Sequence, residues 1–131
     1  MTVFFTDRNL GKRFGQRLRE RGLSVEIHDD HLPPDASDEE VLSLVAKHGW
    51  VLLTLDYHLR YRLAEKEAIK RFSATVIHLK TSKQRPILEL AEHLAANIHR
   101  VERFLKKNPP PLFAVYRIDP KGRAKLEKKG I

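Results

Sequence analysis

Three aspartates stand at positions where an α/β chain can use them together. Asp7 follows the β-rich run Val3 to Thr6, Asp56 follows the apolar run Trp50 to Thr54, and Asp38 sits in the first turn of a helix that opens at Ser37. Carboxylates that converge from distant parts of a chain suit a hard divalent cation, Mg²⁺ or Mn²⁺, which takes oxygen ligands and keeps part of its water. Such an ion lowers the pKa of a bound water, orients it for in-line attack on a phosphodiester and stabilises the leaving oxygen. Asp7, Asp38 and Asp56 are therefore the candidate catalytic and metal-binding residues. Glu39 is a further candidate ligand, with complementing the helix dipole as its alternative role. Glu40, three residues after Ser37, fits a capping box and so already has structural work.

Arg8, Asn9, Arg60 and Arg62 flank these acids in sequence and are candidates for gripping substrate phosphates, with surface ion pairing as the plainer reading for the arginines. Asn9 could instead hold a water or the Asp7 side chain. Asp7 and Asp56 each read equally well as a cap for the helix that follows. Asp38 is harder to explain that way. It precedes Val41, Leu42 and Val45 by three, four and seven residues, which turns it toward the inward face of its helix. An inward-facing carboxylate is costly unless it is paired or bound to a cation.

Other chemistries find no support. The chain has no cysteine, which excludes disulfides, thiolate metal sites and cysteine nucleophiles. Its seven histidines show no zinc-type spacing, although His31 and His58 fall near the presumed site edge. There is no glycine-rich phosphate loop and no Gly-x-Ser-x-Gly elbow.

The elements that must position the acids follow from periodicity. Val3 to Thr6 reads as a strand, Leu10, Phe14 and Leu18 as one helix closed by Gly22, and Ser24 to His28 as a second strand. Asp29 to Pro34 is a loop. The helix from Ser37 stops at Gly49, and Trp50 to Thr54 is a continuous apolar run, as expected of a parallel strand buried on both faces. Tyr57 to about Arg71 is rich in helix formers, and Ala74 to Leu79 reads as a fourth strand. Ile87, Leu90, Ala91, Leu94, Ile98, Val101 and Leu105 keep three-four spacing and predict one long helix ending before the Asn108 to Pro111 run. Phe113 to Ile118 and Arg123 to Lys128, around Asp119-Pro120-Lys121-Gly122, predict a hairpin.

Strands alternating with helices imply an α/β domain, mainly parallel, with helices on both faces. Each helix then starts at the carboxyl edge of the sheet, where ligands bind in such folds. Asp7, Asp38 and Asp56 should all fall on that edge.

A chain of 131 residues has room for one core, hence one domain over 1–131, with its core in 1–107 and a basic C-terminal hairpin or tail in 112–131. The formal charge of +8 is uneven: residues 1–79 balance 12 basic against 12 acidic side chains, whereas residues 80–131 carry 13 basic and 5 acidic. Clustered Lys and Arg attract polyanions, nucleic acid above all, although a solvated face is the alternative. No apolar run is long enough to span a bilayer and no cleavable leader opens the chain, so the expectation is a soluble, cytoplasmic protein without membrane attachment.

With Phe4-Phe5-Thr6-Asp7-Arg8-Asn9-Leu10, Ser37-Asp38-Glu39-Glu40-Val41-Leu42 and Gly49-Trp50-Val51-Leu52-Leu53-Thr54-Leu55-Asp56 in place, the chain resembles the PIN-like domains, in particular the branch that includes VapC-type toxins. The match runs roughly from Val3 to Leu79. The resemblance implies a three-layer α/β/α fold with a C-terminal hairpin, and a Mg²⁺- or Mn²⁺-dependent ribonuclease acting on RNA. It also implies a homodimer and, in toxin-antitoxin pairs, inhibition by a separate antitoxin protein. The stretch before Ser37 is short for that family, leaving Asp29, Asp30 or Asp35 as acids to complete the set. Two other classes compete: a phospho-receiver signalling domain, which wants an acidic pair after the first strand where this chain has Asp7 alone, and a non-catalytic nucleic-acid-binding module whose acids only cap helices.

Overall fold

The fold is that of a computed structural model, which describes residues 2–131 and, at Leu63, the backbone alone. In chain order the elements are β1 (Val3–Thr6), α1 (Lys12–Glu20), β2 (Ser24–Ile27), α2 (Asp38–His48), β3 (Val51–Thr54), α3 (Leu63–Phe72), β4 (Thr75–Leu79), α4 (Ile87–Ala96), α5 (Ile98–Lys107), β5 (Leu112–Ile118) and β6 (Ala124–Lys129). Three single turns of 3₁₀ helix, at Arg8–Leu10, His28–Asp30 and Tyr57–Arg60, follow the carboxyl ends of β1, β2 and β3.

One sheet carries the six strands in the order β2-β1-β3-β4-β5-β6. All neighbours run parallel except β5 and β6, which close as an antiparallel hairpin with Ile118 opposite Ala124. The expected α/β class, mainly parallel sheet and C-terminal hairpin are all present. Alternation along the strands divides the core into two layers. Phe4, Val51, Leu53, Ile77, Leu79 and Tyr116 face α1, α4 and α5, where Phe14, Leu18, Leu90, Leu94 and Val101 meet them. Phe5, Leu52, Val76, Phe113 and Val115 face α2 and α3, where Val41, Leu42, Val45, Ala68 and Ile69 meet them.

The residues of β3 are buried throughout, which explains its unbroken apolar run in sequence. Burial of side chains such as Leu52 and Leu53 contributes about 1.5–3 kcal/mol each. β5 is nearly as enclosed, with Leu112 to Tyr116 buried, so the first strand of the hairpin belongs to the core beside β4. Among the described residues no helix is long and apolar enough to cross a membrane.

Three helices differ from their sequence expectation by a break. The single helix expected over Ile87 to Leu105 is two, α4 and α5, because Asn97 leaves helical geometry (φ −110°, ψ 21°). Its backbone N–H and its Nδ2 both donate to the His93 carbonyl, at 3.1 and 2.9 Å, and a side chain competing in this way interrupts the regular ladder. Both halves still bury the same side, so the apolar spacing runs through the break unchanged. The expected first helix likewise divides at Gly11 into a 3₁₀ turn and α1, and the expected third divides at Tyr61–Arg62.

Candidate functional site

The strand order reverses between β1 and β3, which makes their carboxyl ends the place where a crevice opens in a sheet of this kind. Asp7 and Asp56 follow those two strands. Asp38 arrives from the first turn of α2, which Ser37 caps by accepting the Glu40 N–H at 3.1 Å, the Ser37 half of the expected capping box. At the far end, Gly49 adopts the left-handed backbone (φ 69°, ψ 24°) that turns the chain into β3. The length of α2 thus brings Asp38 back to the same rim.

Asp7 and Asp56 are both caps and neighbours. One oxygen of each closes a 3₁₀ turn: Asp7 Oδ1 accepts the Arg8 N–H at 2.8 Å, and Asp56 Oδ1 accepts the His58 N–H at 2.9 Å. The Asp7 backbone N–H donates to the Leu53 carbonyl at 3.0 Å, extending the β1–β3 ladder to the aspartate itself. Asp7 Oδ2 accepts the Thr54 hydroxyl at 2.8 Å and Asn9 Nδ2 at 3.2 Å. Thr54 Oγ1 in turn accepts from Asn9 Nδ2 at 3.0 Å and from the Asp56 N–H at 3.1 Å, and Asn9 Oδ1 accepts the Leu55 N–H at 3.1 Å. Thr54 and Asn9 therefore tie the ends of β1 and β3 into one polar network.

Asp38 is half-buried, and its pKa is raised, chiefly by desolvation. Arg62 opposes the rise, whereas Glu65, Asp7 and Asp56 reinforce it, so the Asp38 carboxylate stands in the field of these other acids. The Arg62 guanidinium ion-pairs with Asp56 and feels Asp38 and Glu65 as well. It is the basic side chain set among these carboxylates. Oxygen donors from Asp7, Asp38 and Asp56 are the ligand type of a hard-cation site. As the side chains stand, with Arg62 paired to Asp56, no three acidic or histidine residues among those described lie close enough to hold one ion.

A family model described as PIN like domain matches residues 2–81, more than half of the chain and all of β1 through β4. The chain belongs to the PIN-like domain family. This is a family of nucleases, and the matched region contains Asp7, Asp38, Asp56, Arg62 and Thr54. No curated protein matches the chain.

The other candidates of this PIN-like chain are placed variously. Asn9 holds Asp7, one of its two expected uses. Arg62 stands at the rim, but as the partner of Asp56. Arg8 is drawn to Asp29, at 3.2 Å, and to the Pro34 carbonyl, at 3.3 Å. Arg60 lies over the Tyr57 and Tyr61 rings, 5.7 and 4.7 Å from their centroids, and donates to the Gly130 carbonyl at 3.3 Å. Glu39 is not brought to the other acids: one residue on from Asp38 is about 100° round the helix, and its exposed carboxylate pairs with Arg71 of α3. Asp29 pairs with Arg8 and Lys12 at the end of β2. His31 binds Glu26 at 2.9 Å and packs on Trp50, while His58 contributes its backbone N–H to Asp56.

Two residues at the rim escape sequence reasoning. Thr54 is the hub of the network, and its only signal is a hydroxyl at the last position of a strand that is otherwise apolar. Glu65 lies in the first turn of α3, at the same edge of the sheet as the other helix starts.

Proposed function

We propose that the protein is a Mg²⁺- or Mn²⁺-dependent endoribonuclease that hydrolyses RNA phosphodiesters at the rim formed by Asp7, Asp38 and Asp56. The observation that carries this reading is the placement of Asp7 and Asp56 at the carboxyl ends of the adjacent strands β1 and β3, tied through Thr54, with Asp38 in the first turn of α2 near enough to feel both of them. Asp7, Asp38 and Asp56 would hold the ion, with Glu65 as the fourth acid in place of Glu39. A bound divalent ion supplies an acidified water and neutralises charge on the phosphodiester.

The chain's own residues have distinct tasks in this scheme. Thr54 and Asn9 fix the Asp7 carboxylate, so that it is oriented before any ligand arrives. Arg62 balances Asp56 and Asp38 in the resting site. With a cation between the acids its charge is free for a phosphate oxygen, which gives it the substrate role that its sequence position suggested. Arg8 and Arg60 are engaged with Asp29 and with the tyrosine pair, so phosphate contact falls to Arg62 first. The biological setting proposed is that of a toxin restrained by an antitoxin protein.

Asp7→Asn, Asp38→Asn and Asp56→Asn should each abolish most cleavage of labelled RNA in Mg²⁺ while leaving the far-UV circular dichroism spectrum unchanged. The wild-type protein should lose cleavage in EDTA. Cleavage that persists in all three purified variants would overturn the proposal.

A further inference from the structure

The sheet face packed by α2 and α3 continues beyond them onto β5 and β6. There Glu127 stands opposite Val115, Lys129 opposite Phe113, and Arg117 two residues along β5 from Val115, so these side chains share that face. Between them and the 3₁₀ turn after β3 lies a cavity of about 330 Å³, lined by Tyr57, His78, Lys80, Arg117, Glu127 and Lys129 on a floor that includes Val115. That volume is at the lower end of the range for small-ligand pockets, about 300–1,000 Å³.

Three features of the lining point to one class of ligand. His78 is 8% exposed and lines the cavity, its ring beside the Thr54 backbone. The Tyr57 ring, its centroid 5.0 Å from that of His78, adds an aromatic surface of the kind on which bases stack. Lys80, Arg117 and Lys129 bring three positive charges against one carboxylate, Glu127, which Arg117 and Lys129 each hold at 3.2 Å. The excess favours an anion.

The cavity adjoins the acidic rim. His78 pairs with Thr54 across β3 and β4, Thr54 holds Asp7, and Tyr57 directly follows Asp56. We propose that this cavity receives one nucleotide of the RNA strand next to the scissile bond, its base against the Tyr57 ring and its phosphate among Lys80, Arg117 and Lys129. The assignment rests on the ribonuclease reading for the identity of the strand. It assigns substrate contact to the basic C-terminal hairpin, which lies beyond the part of the chain that the family model covers.

The test uses the full-length protein in EDTA, where binding is read without cleavage. Adenosine and uridine 5′-monophosphates are titrated and followed by nuclear magnetic resonance, with inorganic phosphate as the control. Both nucleotides should bind more tightly than phosphate and shift the Tyr57 and His78 ring signals. Lys80→Ala and Arg117→Ala should each weaken binding about tenfold, the loss of one charge-assisted bond. Nucleotides that bind no better than phosphate, or Lys80→Ala and Arg117→Ala proteins that bind them unchanged, overturn the assignment even if RNA is cleaved in Mg²⁺. Nucleotides that bind as expected to a wild-type protein that cleaves no RNA overturn the substrate role, and the ribonuclease reading is then the part that failed.

Discussion

Replacing Thr54 by valine tests whether the network between β1 and β3 is as important as its geometry suggests. Valine matches threonine in shape, and Thr54 is 0% exposed, so the substitution leaves packing almost intact and removes one hydroxyl. That hydroxyl donates to Asp7 Oδ2 at 2.8 Å and accepts from Asn9 Nδ2 at 3.0 Å and the Asp56 N–H at 3.1 Å. A bond to a charged group contributes about 1.5–3 kcal/mol, and a stranded buried N–H costs about 1–3 kcal/mol. Asp56 is half-buried and Asn9 is exposed, so water replaces part of what their donors lose. The expected loss of stability is therefore about 2–4 kcal/mol. At about 2 kcal/mol per molar urea, typical of small proteins, the unfolding midpoint should fall by about 1–2 M. Thr54→Ser keeps the hydroxyl and should lose less than half as much. With Asp7 Oδ2 held by Asn9 alone, RNA cleavage by the valine variant should fall more steeply than by the serine variant. A midpoint shift below about 0.5 M at unchanged slope would show that the network is not a structural tie.

Asp38→Asn should separate stability from function. Because burial and the neighbouring acids raise the Asp38 pKa, the folded state binds this proton more tightly than the unfolded state. The wild type in chelator should therefore lose stability relative to the variant as pH rises from the unfolded carboxylate value of about 3.9 to the raised folded value, with the difference constant above it. Urea melts across that window check the sign, and a gap that is flat with pH or of opposite direction refutes it. Added Mg²⁺ should reverse the order at pH 7, stabilising the wild type by about 1.4 kcal/mol at ten times its dissociation constant and the variant by less. Gly15 packs so closely that a Cβ would lie 2.9 Å from Ile27 Cγ1 and 3.1 Å from Thr6 Oγ1. Gly15→Ala should lower the melting temperature, the overpacking cost of about 1–3 kcal/mol exceeding the helix-propensity gain of about 1 kcal/mol; a rise would refute the close approach of α1 to β1 and β2.

Much of the fold is legible in the sequence because burial imposes periods. The unbroken run of β3 reads as a strand covered on both faces, and the Leu42 side of α2 predicts which way Asp38 turns. Breaks inside helices are less visible. Asn97 interrupts α4 and α5 through its own side chain, while Ile98 and Val101 continue the apolar spacing as though no break were there. The site shows the same division. Strand ends locate Asp7 and Asp56 because backbone topology alone brings them to the rim. Arg8 and Arg60 are long side chains whose partners are chosen by tertiary structure, Asp29 for one and two tyrosine rings for the other. Thr54 is silent in sequence, since a hydroxyl in a strand has no period, and its role exists only once β1 lies beside β3.

Anomalous scattering from crystals soaked in Mn²⁺ tests the proposed metal site most directly. A peak bounded by the carboxylates of Asp7, Asp38 and Asp56, with Arg62 displaced from Asp56, is the predicted result. A peak elsewhere, or these side chains unmoved around no ion at saturating Mn²⁺, would contradict it.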